Sequence, residues 1–145
     1  DAYHAVIDQY PEFKMLQQET ANWDRQQGKQ KMEIMLQAHP DITGVISGND
    51  EMALGAVQAL KDQGKLGKVK VLAFDGNDDA VAAVLAGELV ATVLQPIVEG
   101  SKLAVQQADS YLRTGKTGAS QEKQAIDCVL ITKDNAPRLK GFTLS

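Results

Sequence analysis

A chain of 145 residues, 43% apolar and 23% charged, is long enough for one compact domain and has the composition of an ordinary globular one. Its formal charge of −4, with both signs mixed along the chain, argues against a nucleic-acid-binding face, which needs clustered Lys and Arg. No apolar run approaches the roughly 20 residues of a membrane helix, and a single cysteine, Cys128, excludes an internal disulfide or a four-cysteine zinc site.

In chain order, residues 14–19, around the apolar pair Met15-Leu16, read as a first strand. Residues 25–38 have helical period and place Gly28, Met32, Met35 and Leu36 on one face. His39-Pro40 ends them, because the residue before a proline is pushed out of the α region. A β-branched run over 43–47 predicts the next strand. The helix expected over 51–63 aligns Ala53, Ala56, Val57 and Leu60, with Gly64 as a left-handed stop. A strand over 69–74, a short helix over 79–86 ending at Gly87, and a strand over 90–94 follow. Residues 97–113 carry Ile97, Ala104, Val105, Ala108 and Leu112 on one stripe and break at Gly115. Residues 125–132 are a fifth strand candidate. They contain Cys128, read as a core or near-core residue because free cysteines are mostly buried.

Strands thus alternate with helices across short links, the pattern of repeated βαβ units: an α/β fold with a doubly wound parallel sheet, helices on both faces. Ligands of such sheets sit outside the carboxyl ends of the strands. The first polar or aromatic residues after the strands are Asn22-Trp23-Asp24, Gly48-Asn49-Asp50, Asp75-Gly76-Asn77 and Gln95. A sugar offers hydroxyls at its rim and C–H groups on its faces. Asn49 and Gln95 can each accept from one hydroxyl and donate to another. Asp75, acceptor-only when ionised, forms the stronger charge-assisted bonds. Trp23, the one tryptophan, supplies a flat apolar face.

Each residue also has a plainer reading. Asn49 or Asp50 can cap the following helix, with Asp50 serving the backbone while Asn49 faces a ligand. Asp75-Gly76 can be a turn, Trp23 a half-buried packing residue, and Gln95 a strand end before Pro96. Convergence on one sheet edge favours the binding reading. Other chemistries lack their parts. No glycine-rich phosphate loop and no nucleophile turn is present. Residues 75–86 begin like a calcium loop but place Ala80 and Ala86 where Gly and Glu are needed. Asp78 and Asp79 read as charges opening a helix. Neither catalysis, a metal nor a cofactor is expected.

His39-Pro40-Asp41 through Gly48-Asn49-Asp50-Glu51-Met52-Ala53-Leu54-Gly55-Ala56, then Phe74-Asp75-Gly76, then Leu85 through Gln95, strongly resemble the C-terminal-lobe signature of ribose- and galactose-binding proteins. These are type 1 periplasmic binding proteins of bacterial ABC importers, with flavodoxin-like lobes. The resemblance covers nearly the whole chain and implies roles by position. Trp23 stacks on the sugar, Asn49 and Asp75 bind its hydroxyls, Gln95 closes the hinge side, and Asp24 and Asp50 support them. It further implies a ligand-binding lobe over 1–95, a crossover over 96–128 that packs on an N-terminal lobe absent from these residues, and a return segment over 129–145. The implied ligand is a sugar or polyol, the implied partner an ABC permease, and the implied location the periplasm. The orphaned crossover implies either self-association or association with the missing lobe. The Asn-Asp-x-x-Ala-x-Gly-Ala stretch also occurs in lac-repressor-type regulators, so an effector-binding domain is the alternative.

Overall fold

The sheet is assembled from strand–helix units whose boundaries follow local chemistry. Helix α2 (Arg25–Ala38) starts at Asp24, whose carboxylate accepts the Gln27 amide hydrogen, and stops at His39. Strand β1 (Gly44–Ile46) leads to α3 (Asp50–Asp62), β2 (Lys70–Asp75) to α4 (Asp78–Ala86), and β3 (Ala91–Leu94) to α5 (Ile97–Thr114). Gly87 and Gly115 end α4 and α5 in the left-handed conformation, which glycine adopts without steric cost. The computed structural model describes residues 2–144. A short helix α1 (Ala2–Ile7) precedes these units. Strand β4 (Val129–Ile131), a 3-10 turn (Ala136–Arg138) and the hairpin strands β5 (Leu139–Lys140) and β6 (Thr143–Leu144) follow.

The main sheet has four strands in the order β1-β2-β3-β4. Strands β1, β2 and β3 are parallel, with Val45 opposite Val71 and Ala73 opposite Thr92. Residues in register share a face. Val71, Ala73, Thr92 and Ile131 turn to one side and are buried, together with Ala53, Ala56, Val57 and Leu60 of α3 and Ala80, Ala83 and Val84 of α4. On the other side, Ile46, Leu72 and Leu130 remain partly exposed.

Helices α2 and α3 cross at two glycines. A Cβ on Gly28 would stand 2.7 Å from the Met52 Cα and carbonyl oxygen, and one on Gly55 would run into the Arg25 carbonyl oxygen and stand 2.7 Å from the Lys29 nitrogen. Only bare backbone permits this approach, which seats Met32 and Leu36 against the core.

Three expectations change. Residues 14–19 form no strand. Among the described residues no strand pairs with the outer edge of β1, and Phe13, Met15 and Leu16 stay exposed, so neither a ladder nor burial favours extended pairing there. The fifth candidate, 125–132, contracts to β4, which runs antiparallel to β3. Helix α5 leaves from the carboxyl end of β3, and the chain returns to that same end, with Val129 opposite Leu94; a strand entering there must run the other way. Cys128 is exposed, because it precedes the paired residues of this edge strand. Helix α5 itself buries none of its residues.

Candidate functional site

Trp23 sits where the chain turns into α2. Asn22 and Trp23 have φ of 50° and 61°, a left-handed region that costs a non-glycine residue energy. The turn is held by the Asp24 amide hydrogen donated to the Ala21 carbonyl (2.9 Å), by Asn22 Nδ2 donating to Gln27 Oε1 (2.9 Å) and by the Asp24 cap. Asp24 thus supports Trp23 through the backbone. The indole lies beside Gly48, where a Cβ would be 3.3 Å from Trp23 Cζ3. It remains 67% exposed, so its flat face is open rather than used for packing.

Asn49 is the N-cap of α3: its Oδ1 accepts the Met52 amide hydrogen at 2.9 Å, and its Nδ2 donates to the Trp23 carbonyl at 3.4 Å. Of the two caps the sequence allows, Asn49 or Asp50, the structure uses Asn49, so the arrangement in which Asp50 serves the backbone and leaves Asn49 to a ligand is not the one formed. An N-cap needs extended backbone, which Asn49 has at φ −153°; Asp50 is already helical. Asn49 retains one amide hydrogen and one carbonyl lone pair.

At the end of β2, Asp75 accepts from Gln95 Nε2 at 2.6 Å, while the Gln95 amide hydrogen meets the Asp75 carbonyl at 3.1 Å. Both side chains are half-buried. The remaining oxygen of Asp75 is an acceptor, and Gln95 keeps its own carbonyl oxygen. Asp75 has φ of 135°, unusual for any residue with a side chain.

Behind this edge, Asp50 is fully buried. Its Oδ1 accepts from the Thr92 hydroxyl at 2.6 Å and its Oδ2 from the Asn77 amide at 2.7 Å. Burial pushes the Asp50 carboxyl up from its ordinary value, and the Asp75 charge adds to this. The bonds from the Thr92 hydroxyl and the Asn77 amide oppose it. Asn77 caps α4 by accepting from the Ala80 amide (2.8 Å), so the segment that opens like a calcium loop is a helix start.

The structure therefore brings Trp23 to Gly48 and Asn49, and Asp75 to Gln95, at the carboxyl ends of β1, β2 and β3. It adds residues that sequence reasoning missed. The Tyr3 hydroxyl donates to the Ser47 carbonyl at 3.5 Å; burial, and then the Asp75 carboxylate, raise its pKa. A lone aromatic in a six-residue helix carries no pattern that would announce this. Arg25 bridges the first turns of three helices, with Nε to Glu51 Oε2 and Nη2 to Asp79 Oδ2, both 2.8 Å. Among the described residues no group of three His, Cys, Asp or Glu side chains could hold a metal ion.

A mainly parallel four-stranded sheet packed with helices is the fold of one lobe of a type 1 periplasmic binding protein. The model of the "Periplasmic binding protein domain" family matches residues 1–117, and the chain belongs to that family. It is 52% identical over 144 residues to the D-apiose import binding protein of Actinobacillus succinogenes, covering 99% of this chain and 46% of that protein. It is 49% identical over 142 residues to the D-apiose import binding protein of Paraburkholderia graminis, covering 98% and 45%. A solved periplasmic solute binding protein of an ABC transporter from Actinobacillus succinogenes, with bound D-allose, superposes with a TM-score of 0.87 at 27% identity, covering 93% of this chain and 47% of that one. The chain spans about half the length of the curated relatives it matches.

Proposed function

We propose that this chain is the carboxyl-terminal lobe of the sugar-binding component of a bacterial ABC importer, and that it takes a neutral furanose of the D-apiose kind. Trp23 stacks on the ring, Asp75 and Gln95 take its hydroxyls, and Asn49 adds a donor and an acceptor at the Trp23 side. Asp24 and Asp50 support these four. The observation that carries the reading is the exposed Trp23 ring across Gly48 at the edge where Asp75 and Gln95 pair. The relatives' names favour an importer over a lac-repressor-type regulator. D-Apiose is a branched, neutral aldose that cyclises as a furanose, which suits an acceptor-rich wall. Ligand is held without bond making, and differential affinity for a closed form shifts the protein toward it.

Residues 1–95 form the ligand-binding lobe, 96–128 cross to a second lobe, and 129–145 return. The exposed Val105, Tyr111 and Leu112 of α5 support a packing partner for that helix, either a second lobe or a second copy. The working location is the periplasm, and the closed form docks on a membrane permease. The test is a thermal-shift panel of D-apiose, D-ribose, D-allose and polyols on the full-length polypeptide that carries this chain. One sugar should raise the melting temperature, and Trp23→Ala and Asp75→Ala should each abolish the shift. A shift that survives both substitutions would overturn the assignment.

A further inference from the structure

We propose that Thr92 and Asp50 form a buried clamp that holds the Asp75-Gly76-Asn77 turn in a strained shape, so that Thr92 is a positioning residue for the ligand. The proposal rests on the reading of Asp75 as a sugar contact and says how Asp75 is aimed.

The turn has positive φ at two successive residues, and the first of them is not a glycine. Asp75 has φ of 135° and Gly76 of 79°. Gly76 is pressed on β3: a Cβ there would be 2.8 Å from Leu94 Cα. A non-glycine residue held outside its favoured regions relaxes unless its surroundings over-determine it. Here two bonds do so. The Gly76 amide hydrogen goes to Thr92 Oγ1 at 3.2 Å, and the Asn77 amide hydrogen goes to Asp50 Oδ2 at 2.7 Å. The two acceptors are themselves joined, the Thr92 hydroxyl donating to Asp50 Oδ1 at 2.6 Å. Thr92 is therefore donor to Asp50 and acceptor from Gly76, a dual role that needs a hydroxyl. Both side chains are completely buried. A buried hydroxyl and carboxylate cost free energy unless bonded, and the sheet at this point is otherwise apolar. A valine fits the same shape, so packing alone does not call for threonine.

The consequence reaches the site through one residue. With the two amides fixed, Asp75 keeps φ of 135°, and its carboxylate meets Gln95 Nε2 at 2.6 Å. Without the clamp the turn relaxes toward ordinary angles, and the Asp75–Gln95 pair loses its geometry although neither residue has changed. Neither Thr92 nor Asp50 touches the sugar.

The test uses the full-length polypeptide, calorimetry, and whichever of D-apiose, D-ribose and D-allose it binds most tightly. Thr92→Val should weaken binding about tenfold. Thr92→Ser, which restores the hydroxyl, should return to within threefold of the unmodified protein, a recovery that lost packing would not produce. Asp75→Asn should weaken binding at least tenfold, and adding Thr92→Val to it should cost no more than a further twofold. Full affinity in Thr92→Val, no recovery in Thr92→Ser, or losses that multiply in the double variant would each overturn the clamp. If Asp75→Asn binds as tightly as the unmodified protein, the assignment of Asp75 as a sugar contact fails instead, and the clamp's role fails with it. If Asp75→Asn shows no measurable binding, the Thr92→Val and Thr92→Ser pair decides alone.

Discussion

Gly55→Ala probes how the α2–α3 crossing carries the site. The new methyl would strike the Arg25 carbonyl oxygen and stand 2.7 Å from the Lys29 nitrogen. Both obstacles are backbone, so no side chain can swing aside and the helices must separate. Separation loosens Met32, Leu36, Ala56 and Leu60, all buried in the shared core. Overpacking of this kind costs about 3 kcal/mol at the upper end of its usual range. Alanine's better helix propensity returns about 1 kcal/mol. The net loss is about 2 kcal/mol, or roughly 6 °C of melting temperature for a chain of this size. Gly100→Ala is the control. Gly100 lies in α5, and its Cβ would meet only Ile126 Cδ1 at an ordinary 3.5 Å, so this change should stabilise by up to about 1 kcal/mol. Urea unfolding followed by circular dichroism gives both values. Because α2 carries Trp23 at its start, Gly55→Ala should also move the indole off Gly48 and alter the emission of the chain's one tryptophan. A Gly55→Ala variant as stable as the parent would refute the account of the crossing.

The remaining predictions concern the same edge. Gly48→Ala places a methyl 3.3 Å from Trp23 Cζ3 and 3.5 Å from Met52 Cε. Stability should stay within about 0.5 kcal/mol, while tryptophan emission shifts and sugar binding weakens by about 1 kcal/mol, a factor of about five; unchanged emission and affinity would separate the ring from Gly48. Asp24→Ala removes the cap of α2 and should cost about 1 kcal/mol in urea unfolding; no loss would show the cap to be redundant. Asp50 gives a pH signature. Its folded-state pKa lies above its ordinary 3.8, so the proton is held more tightly when folded. The stability this gives is fully present below 3.8 and is lost as pH rises through the folded value. In paired urea titrations from pH 4 to 7, the advantage of the parent over Asp50→Asn should therefore shrink with rising pH; an advantage that grows would reverse the sign.

Much of this edge was legible because strand ends and helix starts leave short-range signatures. Asn49 and Asp75 follow β-branched runs, and Gly87, Gly115 and His39-Pro40 stop their helices as local sterics require. What escaped depends on partners distant in sequence. Residues 14–19 are a different case: one apolar pair, Met15-Leu16, stands among Lys14, Gln17, Gln18 and Glu19 without the β-branched or aromatic residues that favour a strand, and among the described residues no ladder neighbour makes up for that. The direction of β4 follows from where the chain re-enters the sheet, a property of the long excursion through α5. Cys128 has an apolar neighbourhood in sequence and an exposed edge in space. Which of Asn49 and Asp50 caps α3 turns on a one-residue shift of the helix start, the least determined feature of any helix. Thr92 looked like any β-branched strand residue. Its hydroxyl acquires meaning only from Asp50, 42 positions away.

The way the helices begin also bears on ligand charge. A helix N-terminus attracts anions when its amide hydrogens are free. Here α2, α3 and α4 all start at this edge, and each gives an amide to its own cap: Gln27 to Asp24, Met52 to Asn49 and Ala80 to Asn77. The first turns of α3 and α4 add Asp50, Glu51, Asp78 and Asp79, and Asp75 stands beside them. The nearby cation, Arg25, is engaged by Glu51 and Asp79. A phosphate brought here would meet carboxylates rather than donors, whereas a sugar hydroxyl meets acceptors it can satisfy. The site should therefore discriminate by charge before it discriminates by ring shape. In a thermal-shift comparison on the full-length polypeptide, D-ribose 5-phosphate should leave the melting temperature unchanged at concentrations where a neutral aldose raises it. A phosphorylated pentose that stabilises as strongly as the neutral sugar would show that the capped helix ends do not set the preference.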